Sequence, residues 1–216
     1  MVLDRHRSRL DWWLVPLARG LRRVDPDVFT WLSLVAALGG GLAFALSGPD
    51  AAWLLWVGWA LVLTNSVLDL LDGKVAVMTG KASARGDYLD HTIDRFSDTA
   101  FLLGLALSPW VRVEVGMLAI VFTLLTSYLG TQAQAVGIGR NYGGLLGRAD
   151  RMALLWIVPP LTAALAAGPG ADWRLAGFAT TPLELMLAYF ALIGFVTTLQ
   201  RFVFGLRGFG ADGKVK

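Results

Sequence analysis

The chain has no cysteine and only two histidines among 216 residues, and Asp, Glu, Lys and Arg together make up just 16% of it. The missing cysteine excludes a disulfide framework, a thiolate metal site and cysteine nucleophilic catalysis, while leaving the redox compartment open. The scarcity of charge excludes a conventional soluble domain, whose charged fraction is about a quarter. A disordered tail protein is excluded from the other side: 56% of the residues are hydrophobic and 11% aromatic, with mean hydropathy +0.59. Internal repeats, low-complexity tracts and soluble-domain linkers are also absent. The net charge of +3 does not point to nucleic acid, because the cations are scattered between apolar runs and form no continuous patch. A bilayer is the environment this composition fits.

Six stretches of 16 to 22 residues lie near the roughly 20 residues a helix needs to cross the hydrocarbon: Val28 to Leu46, Ala52 to Leu71, Asp90 to Leu107, Val115 to Val136, Met152 to Ala167 and Leu183 to Phe204. The expectation is an all-α integral membrane protein with six transmembrane helices. The positive-inside bias orients it with both termini cytoplasmic. Clusters at Arg5 to Arg23, Lys74 to Arg85, Arg140 to Arg151 and Arg207 to Lys216 fall on inner segments, and only Arg112 and Arg174 fall outside. Ahead of the first span, Leu10, Trp13, Leu14, Leu17, Leu21 and Val24 recur at helical spacing against Arg9, Asp11, Arg19, Arg22 and Arg23, which predicts an interfacial amphipathic helix facing membrane lipids. The organisation is thus an amphipathic juxtamembrane helix over residues 1–25, a six-helix transmembrane domain over 26–206 and a cytoplasmic tail over 207–216. Asp25-Pro26-Asp27 reads as the structural start of the first span. Trp12, Trp13, Trp53, Trp110 and Trp173, near span ends, read as an aromatic belt.

Six of the sixteen acidic residues lie between positions 69 and 98: Asp69, Asp72, Asp87, Asp90, Asp94 and Asp98. A carboxylate at membrane depth costs about 2.5 to 3.5 kcal/mol even on insertion scales, so the cluster demands cations or a wet cavity. Asp69 and Asp72 are i,i+3, and Asp90 and Asp94 are i,i+4, so each pair can share one helix face. Two such helices facing each other make an all-oxygen site suited to Mg²⁺ or Mn²⁺, whose common role is to bind phosphates. Gly73, Ala76, Gly80 and Gly86 lie in the same segment and leave room for close approach. Asp87 reads as part of a helix start, Asp98 as a partner of Arg95 or a cavity residue, and His91 as packing beside Asp90.

The segment Asp69-x2-Asp72-Gly73-x2-Ala76, nine residues, Gly86-x3-Asp90-x3-Asp94 resembles the signature of the CDP-alcohol phosphotransferase family at seven of eight fixed positions. The resemblance implies a membrane enzyme at the cytoplasmic face of the cell membrane. It would transfer a phosphatidyl-type group from a CDP-activated lipid, CDP-diacylglycerol or CDP-archaeol, to the hydroxyl of a small polar alcohol and release CMP. It implies that Asp69, Asp72 and Asp90 hold two Mg²⁺ or Mn²⁺ ions, that Asp94 deprotonates the acceptor and also contacts metal, and that the protein is a homodimer. Gly73, Ala76 and Gly86 match positions that make room for CDP. Val77 departs from the pattern, standing where the family has Arg, and Lys74 or Lys81 is the candidate replacement.

The inner segment from Gly137 to Arg151 combines glycines with Arg140, Arg148 and Arg151, residues able to fork onto a phosphate. Arg148 and Arg151 resemble the Arg-x2-Arg of the family branch that makes phosphatidylinositol phosphate, which implies a phosphorylated polyol acceptor such as glycerol 3-phosphate or inositol phosphate. Gly130 and Gln132, however, stand where that branch shows Lys and Arg. Two rival readings use the same aspartates. An aromatic prenyltransferase of the UbiA type has its two motifs far apart, whereas here they are close. A cation or proton-coupled carrier would use the buried carboxylates as ion ligands without needing CDP.

Overall fold

The computed structural model describes residues 11–139, 143–168, 170–175, 177–210, 212, 213 and 215. Among them the chain forms α1 (Asp11–Gly20), α2 (Pro26–Leu46), α3 (Trp53–Thr79), α4 (Ala84–Leu107), α5 (Val113–Ala135), α6 (Arg148–Ala166) and α7 (Pro182–Arg207). A short antiparallel hairpin of β1 (Trp173–Leu175) and β2 (Phe178–Thr180) precedes α7, with Trp173 opposite Thr180. Sequence reading placed no strand there, since three-residue strands leave no usable periodicity.

Five helices, α2, α3, α5, α6 and α7, are long and apolar enough to cross a membrane. The expected third span, α4, is as long, at 24 residues. Its first fifteen residues are too charged to meet that measure, carrying Arg85, Asp87, Asp90, Asp94, Arg95 and Asp98. Large apolar side chains point outward along the helices, including Val35 and Leu42 on α2, Leu103 and Leu107 on α4, and Met117 and Val121 on α5. Such a surface suits lipid.

Local chemistry sets the helix ends near the aspartates. The Asp25 side chain accepts a hydrogen bond from the Asp27 amide and caps α2, with Pro26 in the first helical position. Helix α3 stops at Gly80, whose φ of +70° is left-handed and favours glycine. Ser83 then caps α4 by accepting from the Gly86 amide at 3.1 Å. The helix therefore starts six residues before Asp90, where the apolar stretch begins, because a cap and not hydropathy decides it. Asp25 pairs with Lys81 at 2.9 Å and Asp27 pairs with Arg85, tying the start of α2 to the α3–α4 turn. Lys81 holds the Asp25 carboxyl below the usual carboxylate range, first through their hydrogen bond.

Helix α2 packs against both α3 and α4, while α5 pairs with α7 and α6 bridges to α3 and α7. The approach of α2 to α4 is backbone to backbone. A Cβ on Gly104 would overlap the Gly41 carbonyl oxygen, and one on Gly41 would overlap that of Ala100. A main core includes Phe44, Phe101, Leu105, Leu155, Leu187 and Phe190. A second cluster, Leu14, Ala18, Phe29, Leu71 and Val75, packs α1 against the start of α2 and the last turns of α3.

One expectation is corrected. Trp110 is not part of an exposed aromatic belt: it is 4% exposed, belongs to the main core and donates its indole N–H to Ser47 Oγ at 3.1 Å. The turn after α4 folds back under the bundle, so a residue near a span end is enclosed by protein. Trp12 and Trp53 are exposed, as an interfacial position requires.

Candidate active site

Helices α3 and α4 bring Asp69, Asp90 and Asp94 together, one carboxylate oxygen from each lying within 4.8 Å of the others. The i,i+4 spacing of Asp90 and Asp94 puts both on the face of α4 that meets Asp69. Octahedral Mg²⁺ with bonds of about 2.1 Å holds its oxygens roughly 3 to 4.2 Å apart, so small rotamer changes suffice to close the trio on an ion. The donor set, all carboxylate with no thiol or imidazole in the trio, is that of a hard cation. Asp94 Oδ1 is buried and takes no aligned hydrogen bond. These residues fit a divalent metal.

Asp72, expected in the same ligand set, lies one helical turn further along α3, outside the trio. Its Oδ2 accepts a hydrogen bond from Thr30 Oγ1 of α2 at 2.7 Å, and the side chain is buried. Two turns before Asp72 on α3, the Asn65 amide donates to the Ser33 carbonyl at 2.9 Å and to Ser97 Oγ at 3.2 Å, joining three helices.

Arginines complete the electrostatics. Arg148, the first residue of α6, places Nη1 3.0 Å from Asp69 Oδ2, Nη2 2.7 Å from Asp94 Oδ1 and Nε 3.5 Å from Asp98 Oδ1. Arg151, one turn on, is buried and binds Asp98 Oδ2 at 2.8 Å. Asp98 therefore pairs mainly with α6, and its expected partner Arg95 stands 3.9 Å away. Arg95 instead donates to Ser127 Oγ of α5 at 2.6 Å and lies 3.3 Å from Asp94. His91 sits between Asp87, at 3.3 Å, and Asp90, at 3.6 Å. Arg140 lies outside the described residues.

Where α3 turns into α4, a cavity of about 190 Å³ is lined by Asp25, Pro26, Asp27, Ala76, Lys81, Ser83, Arg85 and Gly86. Three of the residues expected at a CDP site, Ala76, Gly86 and Lys81, share it. Gly73 and Lys74 do not line it. Gly73 nevertheless faces open space, since a Cβ there would meet nothing within 4 Å. Val77 is exposed and is not among the lining residues. Sequence reading passed over Arg85 and Thr30. Arg85 had a signal, being a cation next to the motif's Gly86, but Thr30 is 42 residues from Asp72 and had none.

The sequence model of the family described as CDP-alcohol phosphatidyltransferase matches residues 23–199, from the start of the first long helix almost to the end of the last. The chain belongs to this family. The phosphatidylinositol phosphate synthase of Cutibacterium acnes is 32% identical over 210 residues, which cover 94% of this chain and 96% of that one. The archaetidylinositol phosphate synthase of Pyrococcus horikoshii is 31% identical over 134 residues, 62% of this chain and 68% of that one. Among solved structures, the Mycobacterium tuberculosis phosphatidylinositol phosphate synthase with CDP-DAG bound superposes with TM-score 0.70 at 27% identity, covering 89% of this chain and 93% of that one. Its complex with manganese and citrate gives TM-score 0.71 at 26% identity, over 93% and 97% of the two chains. As a CDP-alcohol phosphatidyltransferase, the protein is a membrane-embedded, metal-binding transferase of phospholipid biosynthesis, and the carrier reading gives way to it.

Proposed function

We propose that this CDP-alcohol phosphatidyltransferase moves the phosphatidyl-type group of a CDP-activated lipid onto a hydroxyl of inositol phosphate, releasing CMP. The observation that carries the reading is the convergence of Asp69, Asp90 and Asp94 with Arg148 at one point, carboxylates for metal and a forked cation beside them. The names of the relatives favour inositol phosphate over glycerol 3-phosphate as the phosphorylated polyol. Both phosphatidyl and archaetidyl tails occur among them, so diacylglycerol and archaeol donors both fit the fold.

In this reading Asp69, Asp72, Asp90 and Asp94 hold Mg²⁺ or Mn²⁺, two ions in the full site, and Thr30 fixes the Asp72 carboxylate. The bound cations would grip the donor's diphosphate and neutralise charge on the departing CMP. The acceptor hydroxyl oxygen forms a bond to the lipid-linked phosphorus as the bond from that phosphorus to the CMP oxygen breaks, and the hydroxyl proton passes to Asp94. Ala76, Gly86 and Lys81 line the small cavity, with Gly73 and Lys74 on the adjoining turn of α3. At about 190 Å³ the cavity is below the 300 to 1,000 Å³ of sites that enclose a drug-sized ligand, so it receives one end of the CDP group. Lys81 and Arg85 supply there the positive charge that Val77 does not. Arg148, Arg151 and Arg140 form the acceptor side; Arg148 is the contact to phosphate, and Arg151, locked to Asp98, sets its place.

The same reading places α4 as a sixth span: Leu103 and Leu107 turn its last part to lipid while the charged first fifteen residues face the cytoplasmic entrance. Both termini are then cytoplasmic, α1 lies along the inner surface, and two copies associate as a homodimer in the cell membrane.

The test is CMP release by detergent-purified protein with CDP-diacylglycerol, Mg²⁺ or Mn²⁺, and inositol 1-phosphate, glycerol 3-phosphate, inositol or serine in turn. Release with inositol 1-phosphate alone supports the proposal, and release with another acceptor reassigns the substrate. Asp94→Asn is expected to keep metal-dependent CDP binding but lose about 10²- to 10⁴-fold in turnover, the usual contribution of a general base. Wild-type turnover in that variant would remove Asp94 from the base role.

A further inference from the structure

The position of Arg148 raises a question that its acceptor role does not answer. Its fork spans the two metal-binding helices, with Nη1 on Asp69 Oδ2 of α3 and Nη2 on Asp94 Oδ1 of α4. These residues are two of the three whose carboxylates converge on a cation site. Arginine and a divalent ion thus claim the same acceptors, and like charges at that separation repel. The third nitrogen, Nε, is buried and makes no aligned hydrogen bond, so the guanidinium is incompletely satisfied where it stands. Its side chain is 22% exposed, whereas that of Arg151 is 4% exposed and held by Asp98, which is not one of the trio. One arginine is therefore placed to leave and the other to stay.

We infer that Arg148 is an exchangeable counter-ion: it neutralises and cross-links Asp69 and Asp94 when metal is absent, and metal binding releases it to take the phosphate of the acceptor. The inference rests on the proposed metal site and adds an order to it, in which the acceptor's phosphate is recognised only after metal has loaded. A carboxylate pair left bare would push α3 and α4 apart, so the arginine also keeps the apo site assembled. Coupling of this kind is reciprocal, and a phosphorylated acceptor should in turn strengthen metal binding.

The experiment uses the full-length protein in detergent, as wild type, Arg148→Met and Arg148→Lys, with three readouts that need no turnover: Mn²⁺ affinity by calorimetry, thermal midpoint in EDTA and in Mn²⁺, and binding of inositol 1-phosphate with and without the metal. Removing the competitor is expected to tighten Mn²⁺ at least fivefold in Arg148→Met. The rise in midpoint on adding Mn²⁺ should also exceed that of the wild type, because the apo form has lost its cross-link. Arg148→Lys keeps the charge and loses the fork, and should also bind Mn²⁺ more tightly than the wild type; this variant alone decides the matter if Arg148→Met does not fold. Wild-type affinity in Arg148→Lys beside tightening in Arg148→Met would reduce the effect to bulk charge and overturn the exchange. For inositol 1-phosphate, the wild type should bind at least tenfold more tightly with Mn²⁺ than in EDTA, and Arg148→Met should lose that gain. Equal binding with and without metal, or a gain retained in the variant, overturns the coupling to the acceptor. If Mn²⁺ fails to bind the wild type and Asp69→Asn alike, the metal site itself falls, a result distinct from an unchanged affinity among Arg148 variants of a metal-binding protein.

Discussion

A carboxylate buried in a membrane bundle acts as a ligand only if something fixes its orientation before the metal arrives. Thr30 does this for Asp72, with a 2.7 Å hydrogen bond from α2 to α3, so Thr30→Val is expected to weaken Mn²⁺ binding about 10- to 100-fold, the usual cost of losing an outer-sphere partner. Thr30→Ser, which keeps the hydroxyl, should stay near wild type. Calorimetric titration of the three proteins checks this, and an unchanged affinity in the valine variant would remove Asp72 from the ligands or Thr30 from its support. Residue-scale chemistry was partly legible beforehand. The spacing of Asp69, Asp90 and Asp94 suffices to place them on facing helix sides, because that needs only the helical repeat. The insertion of Arg148 among them was not, since it joins residues 79 positions apart and its resemblance to the Arg-x2-Arg pattern pointed to an acceptor phosphate and not to the carboxylates.

At the scale of elements, glycines show how one residue type serves packing in one place and ligand access in another. Gly104 touches the backbone of α2, and a Cβ there would overlap the Gly41 carbonyl oxygen. Gly104→Ala must therefore separate α2 from α4, at a cost of about 1 to 3 kcal/mol for overpacking, and should lower the thermal midpoint in detergent. It should also loosen Mn²⁺ binding, since α4 carries Asp90 and Asp94. Gly73→Ala meets nothing within 4 Å and gains helix propensity of up to about 1 kcal/mol; it should be at least as stable as wild type yet bind CDP less well. Equal midpoints for the two variants would contradict the packing of α2 on α4. The sequence singled out Gly73, between Asp72 and Lys74 in the aspartate motif, as a position that leaves room for CDP, but the packing role of Gly104 was not legible, because it lies in an apolar run and its contact is with a helix 63 residues earlier in the chain. Likewise, the hydropathy pattern located the long helices to within several residues but not the cap at Ser83, the hairpin before α7, or the burial of Trp110, each of which depends on hydrogen bonds or on neighbours distant in sequence.

For the whole molecule, the decisive question is whether α4 crosses the bilayer, because the topology of everything after it depends on that one helix. Its charged residues all lie between Arg85 and Asp98, and the stretch beyond Asp98 to Leu107 is uncharged and presents Leu103 and Leu107 outward. A helix of 24 residues spans about 36 Å at 1.5 Å per residue, enough for the hydrocarbon plus one wet end. With α4 crossing, the loop at Asp50 and the hairpin at Leu175 both face outward, and Ala135 at the end of α5 faces the cytoplasm. With α4 lying on the surface instead, the segments on either side of it share a compartment, and Ala135 and Leu175 exchange sides relative to Asp50. The absence of native cysteine makes the two arrangements directly separable: single Asp50→Cys, Ala135→Cys and Leu175→Cys proteins in intact cells can each be challenged with a membrane-impermeant maleimide. All three positions are exposed. Labelling of the cysteines at 50 and 175, but not at 135 until the cells are opened, is the expected pattern. Labelling at 50 and 135 with protection at 175 would put α4 on the membrane surface. It would also strand Arg148 across the bilayer from Asp69, a contact of 3.0 Å that the fold makes. The ion pair and the six-span topology therefore stand or fall together.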